Sequence, residues 1–213
     1  MSIVLELQRE ALDSDSDILA LLRKALLVAR KLKLTEFGEW INNELNGYTK
    51  QELIPEYRKV NGEVKAWNPY NGWIPVVPDN NEISSLITSR KVADSIPKIQ
   101  SLLPSESQFV VFTFPPEINA LLVNWTSFES KYQLFVGKNA MHDIVERVKS
   151  EILEWAIILE ENDILGENLR FTDEEKNKAQ SEPGIINYIS NFYGDVSDSQ
   201  IQQGTKNSTQ KRI

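Results

Sequence analysis

The sequence has no cysteine in 213 residues, so neither a disulfide framework nor a thiolate metal site is available, and nothing ties the chain to an oxidising compartment. Histidine is nearly as scarce: His142 stands alone, whereas a closed zinc site takes several His or Cys ligands. No apolar run approaches the ~18 residues that a membrane span needs. The opening MSIVLELQREALDSD is amphipathic and acidic, not the basic stretch and apolar block of a signal peptide. These absences predict a cytoplasmic chain with no membrane partner. An overall excess of positive charge is missing as well, although Arg23, Lys24, Arg30, Lys31 and Lys33 could form a local patch. The formal net charge is -8, and phosphate neutralisation, which supplies most non-specific affinity for nucleic acid, needs the opposite sign. Two catalytic signatures are also lacking. No Gly-x-Ser-x-Gly elbow occurs, and Gly137-Lys138, although set between a strand and a helix, lacks the earlier glycine and trailing Ser or Thr of a phosphate loop. No cofactor is implied.

What the sequence does have is helical periodicity of unusual clarity near its start. Over 17–33, Ile18, Leu22, Ala25, Ala29 and Leu32 follow the 3.6-residue period, and Leu21 and Val28 widen the stripe, so this helix is expected to pack on two sides. Arg30, Lys31 and Lys33 suit the negative end of its dipole. Thr35 is a candidate cap for the next helix, with apolar face Phe37, Trp40, Ile41 and Leu45 and an Asn46-Gly47 stop. One or two residues join the two, which predicts an antiparallel hairpin. A short amphipathic helix over 3–11 precedes it.

Past Tyr48 the helical period gives way to Pro, Gly, Asn and aromatic residues. Residues 53–77 read as β, with Asn61-Gly62 marking a hairpin or a bulged strand. Helices are expected at 83–87 and 92–103, where Pro97 marks a first-turn position or a kink. Strands are expected at 109–114 and 131–136, with a helix from Pro115-Pro116 through Trp125 between them. The longest helix, 139–161, carries Met141, Ile144, Val145, Val148, Ile152, Trp155 and Leu159 on one face. Pro183-Gly184 is the clearest linker signal. The fold class is therefore α+β. It divides into a helical region at 1–50, an α+β body at 51–181, and a polar tail at 182–213.

The tail carries isolated apolar residues, Ile185, Ile189, Phe192, Val196 and Ile201, among Asn, Gln, Ser and Gly. Such a segment cannot bury enough apolar area to fold alone. Either it is disordered, or its extended stretches pair with the body or with other copies, with Asn and Gln ladders adding to strand stacking. The reading adopted is strand-mediated self-association over 185–203, giving a homo-oligomer.

Few residues offer chemistry. His142 and Glu146 form an i, i+4 pair, but one histidine makes neither a zinc site nor a triad; the ordinary reading is a first-turn residue. Glu151 with Glu154 reads as a solvated face. No catalytic residue and no metal site is assigned. Tyr48, Arg58, Trp67, Tyr70 and Trp73 form the candidate binding set, because aromatic and Arg residues dominate interaction hot spots and Asn-Pro and Asn-Gly turns hold them on loops. The plainer account, which the sequence favours, has Trp67 and Trp73 capping the helical hairpin as core.

The run LLRKALLVARKLKLTEFGEWINNELNGY, followed by Pro55-Glu56-Tyr57-Arg58 and Gly62, resembles the AbiTii family of bacterial abortive-infection proteins, closely over the first half and more loosely to about Phe171. The resemblance implies phage defence and brings no catalytic residue with it. The expected function is a non-enzymatic sensing or interaction module, with a phage or host protein as a further partner. The alternative is a toxin-like enzyme acting on nucleic acid or nucleotides, with acidic residues holding a divalent metal.

Overall fold

The first two long helices form where the periodicity places them. In the computed structural model, which describes residues 1–77 and 81–190, α1 (Ile3–Leu12) leads into α2 (Ile18–Leu32), whose first turn is capped by the Asp17 carboxylate accepting from the Leu19 N–H. Lys33 closes α2 in the left-handed region at φ 61°, its N–H bonded to the Ala29 and Arg30 carbonyls. This turn reverses the chain so tightly that Thr35 is already the first residue of α3 (Thr35–Asn46). Leu34 occupies the cap position and no side chain caps the helix, which corrects the expected role of Thr35. Gly47 ends α3 at φ 91°, where a Cβ would sit 3.0 Å from the Ala93 carbonyl oxygen.

Past two short 3-10 turns, Gln51–Leu53 and Glu56–Arg58, come β1 (Lys59–Asn61), β2 (Glu63–Asn68), β3 (Gly72–Pro75), α4 (Asn81–Thr88) and β4 (Ser89–Lys91). They are followed by α5 (Ile96–Leu102), β5 (Phe109–Thr113), α6 (Pro116–Thr126), β6 (Tyr132–Gly137) and α7 (Lys138–Glu161). The described chain closes with α8 (Asp173–Ser181) and α9 (Pro183–Ser190). β1 and β4 make a two-stranded antiparallel sheet; the larger sheet is antiparallel in the order β3-β2-β6-β5.

Asn61-Gly62 turns no hairpin. It passes the chain from one sheet to the other, since β1 pairs with β4 while β2 pairs with β3 and β6. Gly62 is required there by close approach: its N–H reaches the Thr88 carbonyl at 2.8 Å, and a Cβ would meet the Phe135 carbonyl oxygen at 2.5 Å. The helix expected over 92–103 is shorter, because residues 89–91 pair as β4 and Ser95 caps α5 with Pro97 in its first turn. The segment from Pro183 is α-helical rather than extended: Ile185 is fully buried and Tyr188 packs partly against the core, so an i, i+3 pair hidden in a polar context anchors α9.

The helical core joins the ends of the described chain. α1 packs on α7, and α2 packs on α3, α7 and α8. Ile3, Val4, Leu7, Leu21, Leu22, Trp40, Val148, Ile152 and Trp155 are buried, each such apolar side chain contributing about 1.5–3 kcal/mol of transfer free energy. Phe37 stacks on Trp40 at 5.0 Å and on Trp155 at 4.0 Å, which ties α3 to α7. The Ser2 hydroxyl accepts from the Leu5 N–H and donates to the Leu165 carbonyl at 2.6 Å, so one residue caps α1 and fastens it to the chain leaving α7. Glu175 clamps that connection by accepting from the N–H groups of Leu165, Gly166 and Thr172.

Candidate functional site

The five residues of the candidate binding set fall into two places. Tyr48 and Arg58 are buried, in a polar node that fastens α3 to the segments on either side of the small sheet. At its centre is the fully buried carboxylate of Glu44, which accepts from the Tyr48 and Tyr57 hydroxyls at 2.6 Å each, from Arg58 Nε at 3.0 Å and from Arg58 Nη2. Arg58 Nη1 donates to the carbonyls of Val92 at 3.0 Å and Asp94 at 2.7 Å, and Trp40 Nε1 donates to the Tyr57 oxygen at 2.9 Å. The guanidinium also lies 4.9 Å from the Tyr48 ring centre. A buried ion pair survives only when its remaining donors and lone pairs are satisfied, and here two tyrosine hydroxyls and two backbone carbonyls supply the further partners.

Burial, and then the Glu44 charge, push the Tyr48 and Tyr57 hydroxyls well above the ordinary phenol range. Burial alone disfavours the Arg58 charge, but the Glu44 carboxylate outweighs it and holds the guanidinium above its ordinary value. The two phenols therefore stay neutral and the guanidinium charged at physiological pH. Glu44 and Tyr57 were absent from the candidate set. Both lie in the stretches that carry the family resemblance, Glu44 in the run that ends at Tyr48 and Tyr57 in Pro55-Glu56-Tyr57-Arg58.

Trp67 and Trp73 lie elsewhere, directly paired across β2 and β3 with ring centres 5.4 Å apart. They do not cap the helical hairpin. They stand on the outer face of the larger sheet, where Trp73 meets Phe135 at 5.3 Å and Phe135 meets Phe109 at 6.1 Å, an aromatic chain from β3 to β5. The Lys65 ammonium sits 5.0 Å from the Phe135 ring and 5.4 Å from that of Phe109, and pairs with Glu63 at 2.9 Å. The inner face, Val64, Ala66, Tyr132, Leu134 and Val136, is buried. The outer face is open: Trp67 is 45% exposed, Phe109 41% and Val111 43%. Tyr70, on the turn joining β2 and β3, is 94% exposed. The alternation of Lys65 and Trp67 with buried Val64 and Ala66 was the signal for this face.

A cleft of about 780 Å³ opens between the 3-10 turns and the end of β5, lined among others by Gln51, Glu52, Arg90, Lys91, Phe114 and Ile118. Its two cations already have partners. Lys91 pairs with Glu56 at 2.5 Å and donates to the Ile54 carbonyl, while Arg90 donates to the Thr113 carbonyl and lies over the Phe112 ring.

His142 is exposed on the first turns of α7. Glu151 is engaged by Arg147 at 2.6 Å and by the Tyr188 hydroxyl at 2.5 Å, whereas Glu154 is exposed. Among the described residues no group of three or more His, Asp or Glu side chains is placed to hold a metal ion. Of the candidate oligomerisation residues, Ile185 is in the core and Ile189 is on α9. Phe192, Val196 and Ile201 lie outside the described residues.

Fold and surfaces together define an α+β protein built on a fastened helical core, whose open feature is an aromatic sheet face. The family model of AbiTii matches residues 2–183, and the chain belongs to the AbiTii family. Membership implies abortive-infection, anti-phage defence. No curated protein and no solved structure matches the chain. Among the described residues no helix is long and apolar enough to cross a membrane. The matched region ends at Pro183, the first residue of α9.

Proposed function

We propose that this chain serves abortive infection as a sensing or interaction module that self-assembles through its C-terminal segment, with a phage or host protein as the further partner. The observation that carries this reading is the family membership over residues 2–183. The buried node supports it, because its charged groups are all bonded to one another and are unavailable to a substrate. The engagement of Glu151 by Arg147 and Tyr188 supports it as well, since a carboxylate so bonded is a poor metal ligand. α9 then acts as the anchor from which the polar residues beyond 190 depart.

Phage plating on cells carrying the full chain, or a chain ending at Ser190, tests the reading together with light scattering of both. The full chain is expected to contain at least twice as many copies per particle and to protect, and the shortened chain to lose protection while keeping its melting temperature. The same number of copies in both would refute assembly through the tail. Full protection by the shortened chain would refute its role in defence.

A further inference from the structure

We propose that the outer face of the β3-β2-β6-β5 sheet is a docking surface for a second copy of this chain, packed face to face across a two-fold axis. The inference rests on the reading above that the protein self-associates, and it adds an interface distinct from the tail. Large aromatic side chains left open on a sheet in contiguous contact mark an interaction site rather than ordinary surface, and Trp67, Trp73, Phe135 and Phe109 form such a run.

Charge selects the occupant. The chain carries -8 overall, yet the centre of this face holds one acid and one base, Glu63 and Lys65, two residues apart on β2 and paired to each other. A nucleic acid would require a surplus of cations here, and the face has none. Two copies can approach at a locally neutral patch without the repulsion that the rest of the surface would impose. A two-fold contact is self-complementary, so Glu63 of each copy can meet Lys65 of the other, and the intramolecular pair becomes a four-charge ring.

Area is consistent with a dimer of ordinary size. The exposed parts of Trp67, Phe109 and Val111 come to roughly 250 Å² per protomer, taking ~150–250 Å² for a whole large side chain. Glu63, Lys65, Trp73, Thr113, Gln133 and Phe135 at the same face bring this toward the ~800 Å² per partner of a standard interface.

The β5 edge of the sheet is partly closed to the alternative of strand addition. There the Ser107 hydroxyl closes both backbone groups of Phe109, and Arg90 takes the Thr113 carbonyl. An edge blunted in this way resists pairing.

Sedimentation of the full chain from about 1 to 100 µM, a range that brackets micromolar association, tests the proposal. The wild type is expected to double its copies per particle towards the upper end, beyond the assembly that the tail gives. Trp67→Glu and Phe109→Glu, both at exposed positions, are expected to weaken dimerisation at least a hundredfold with unchanged circular dichroism and melting temperature. Glu63→Lys is expected to weaken it by setting like charges opposite each other, and Glu63→Lys with Lys65→Glu to restore it. A monomeric wild type throughout the range overturns the proposal. So does a concentration-dependent doubling that survives Trp67→Glu, which leaves self-association standing and removes only this face. Quenching of tryptophan fluorescence by a single-stranded oligonucleotide at physiological salt, on a monomeric wild type, overturns it in favour of nucleic acid. Phage plating reports separately on the defence reading.

Discussion

The costs of removing the two partners of the Glu44 and Arg58 pair one at a time are expected to sum to well over the cost of removing both. Glu44→Leu leaves the Arg58 guanidinium with its two backbone carbonyl acceptors but no countercharge, at a site with no exposed surface. Arg58→Met leaves a buried carboxylate with only the Tyr48 and Tyr57 hydroxyls as donors. Breaking one side of a buried pair costs about 3–5 kcal/mol. In a domain of this size that corresponds to a fall in melting temperature of very roughly 10 °C, at about 2–4 °C per kcal/mol. Glu44→Leu with Arg58→Met removes both charges, and the double change is expected to cost at least about 2 kcal/mol less than the sum of the single changes. It still loses two tyrosine hydrogen bonds and two carbonyl acceptances, so it should remain less stable than the wild type. Urea unfolding at pH 7, followed by circular dichroism and tryptophan fluorescence, gives all four corners of this cycle. Single changes costing under about 1 kcal/mol, or costs that simply add, would refute the view that the node is an interdependent fastening.

The raised hydroxyls give a pH dependence of definite sign. Tyr48, Tyr57 and Tyr188 keep their protons longer folded than unfolded, Tyr188 through burial and its bond to Glu151. The folded state therefore binds more protons above pH ~10, and stability should be level below that and fall above it, by up to about 1.4 kcal/mol per pH unit per group. Ultraviolet titration should show these three of the six tyrosines ionising only as the chain unfolds; early titration of all six would contradict it. At the acid end, burial opposes the Glu175 charge but its backbone bonds to Gly166, Thr172 and Leu165 prevail, so its value is lowered. Its contribution is present above about pH 4.3 and lost as pH falls through the folded value, and Glu175→Gln should flatten the acid limb of a stability curve relative to wild type. Gly62→Ala should destabilise by several kcal/mol, since its Cβ would press on the Phe135 carbonyl, whereas Gly184→Ala, with open space around it, should change unfolding midpoints little. Ile185→Ala should cost about 2–4 kcal/mol and expose α9 to limited proteolysis before the rest of the chain.

The helices were legible because their information is local. The stripe from Ile18 to Leu32 and the face from Met141 to Leu159 need only a period and an end signal, and both were present. Partners were less legible. Residues 59–61 and 63–68 look like one hairpin, yet their ladders are completed by Lys91 and Phe135, and alternation says which face a strand buries without saying whom it meets. The same limit placed Arg58 beside Trp67 in one exposed set, because nothing in the spacing shows that Glu44 lies across from it. α9 was hidden by composition: two anchoring residues, Ile185 and Tyr188, suffice for a short helix that has α7 to lean on, although the segment has too little apolar area to fold alone.

The packing of α1 on α7 sets a timetable for synthesis. The first helix leaves the ribosome early, but the surface that covers Ile3, Val4 and Leu7 is made more than a hundred residues later, in 138–161. At about 5–20 residues per second the nascent chain spends on the order of ten seconds with that helix unpartnered. A message cut short anywhere before the end of α7 thus yields no smaller working version, only a chain with an exposed apolar helix for chaperones and proteases to remove. The module is completed all at once, by the segment that closes on its own beginning.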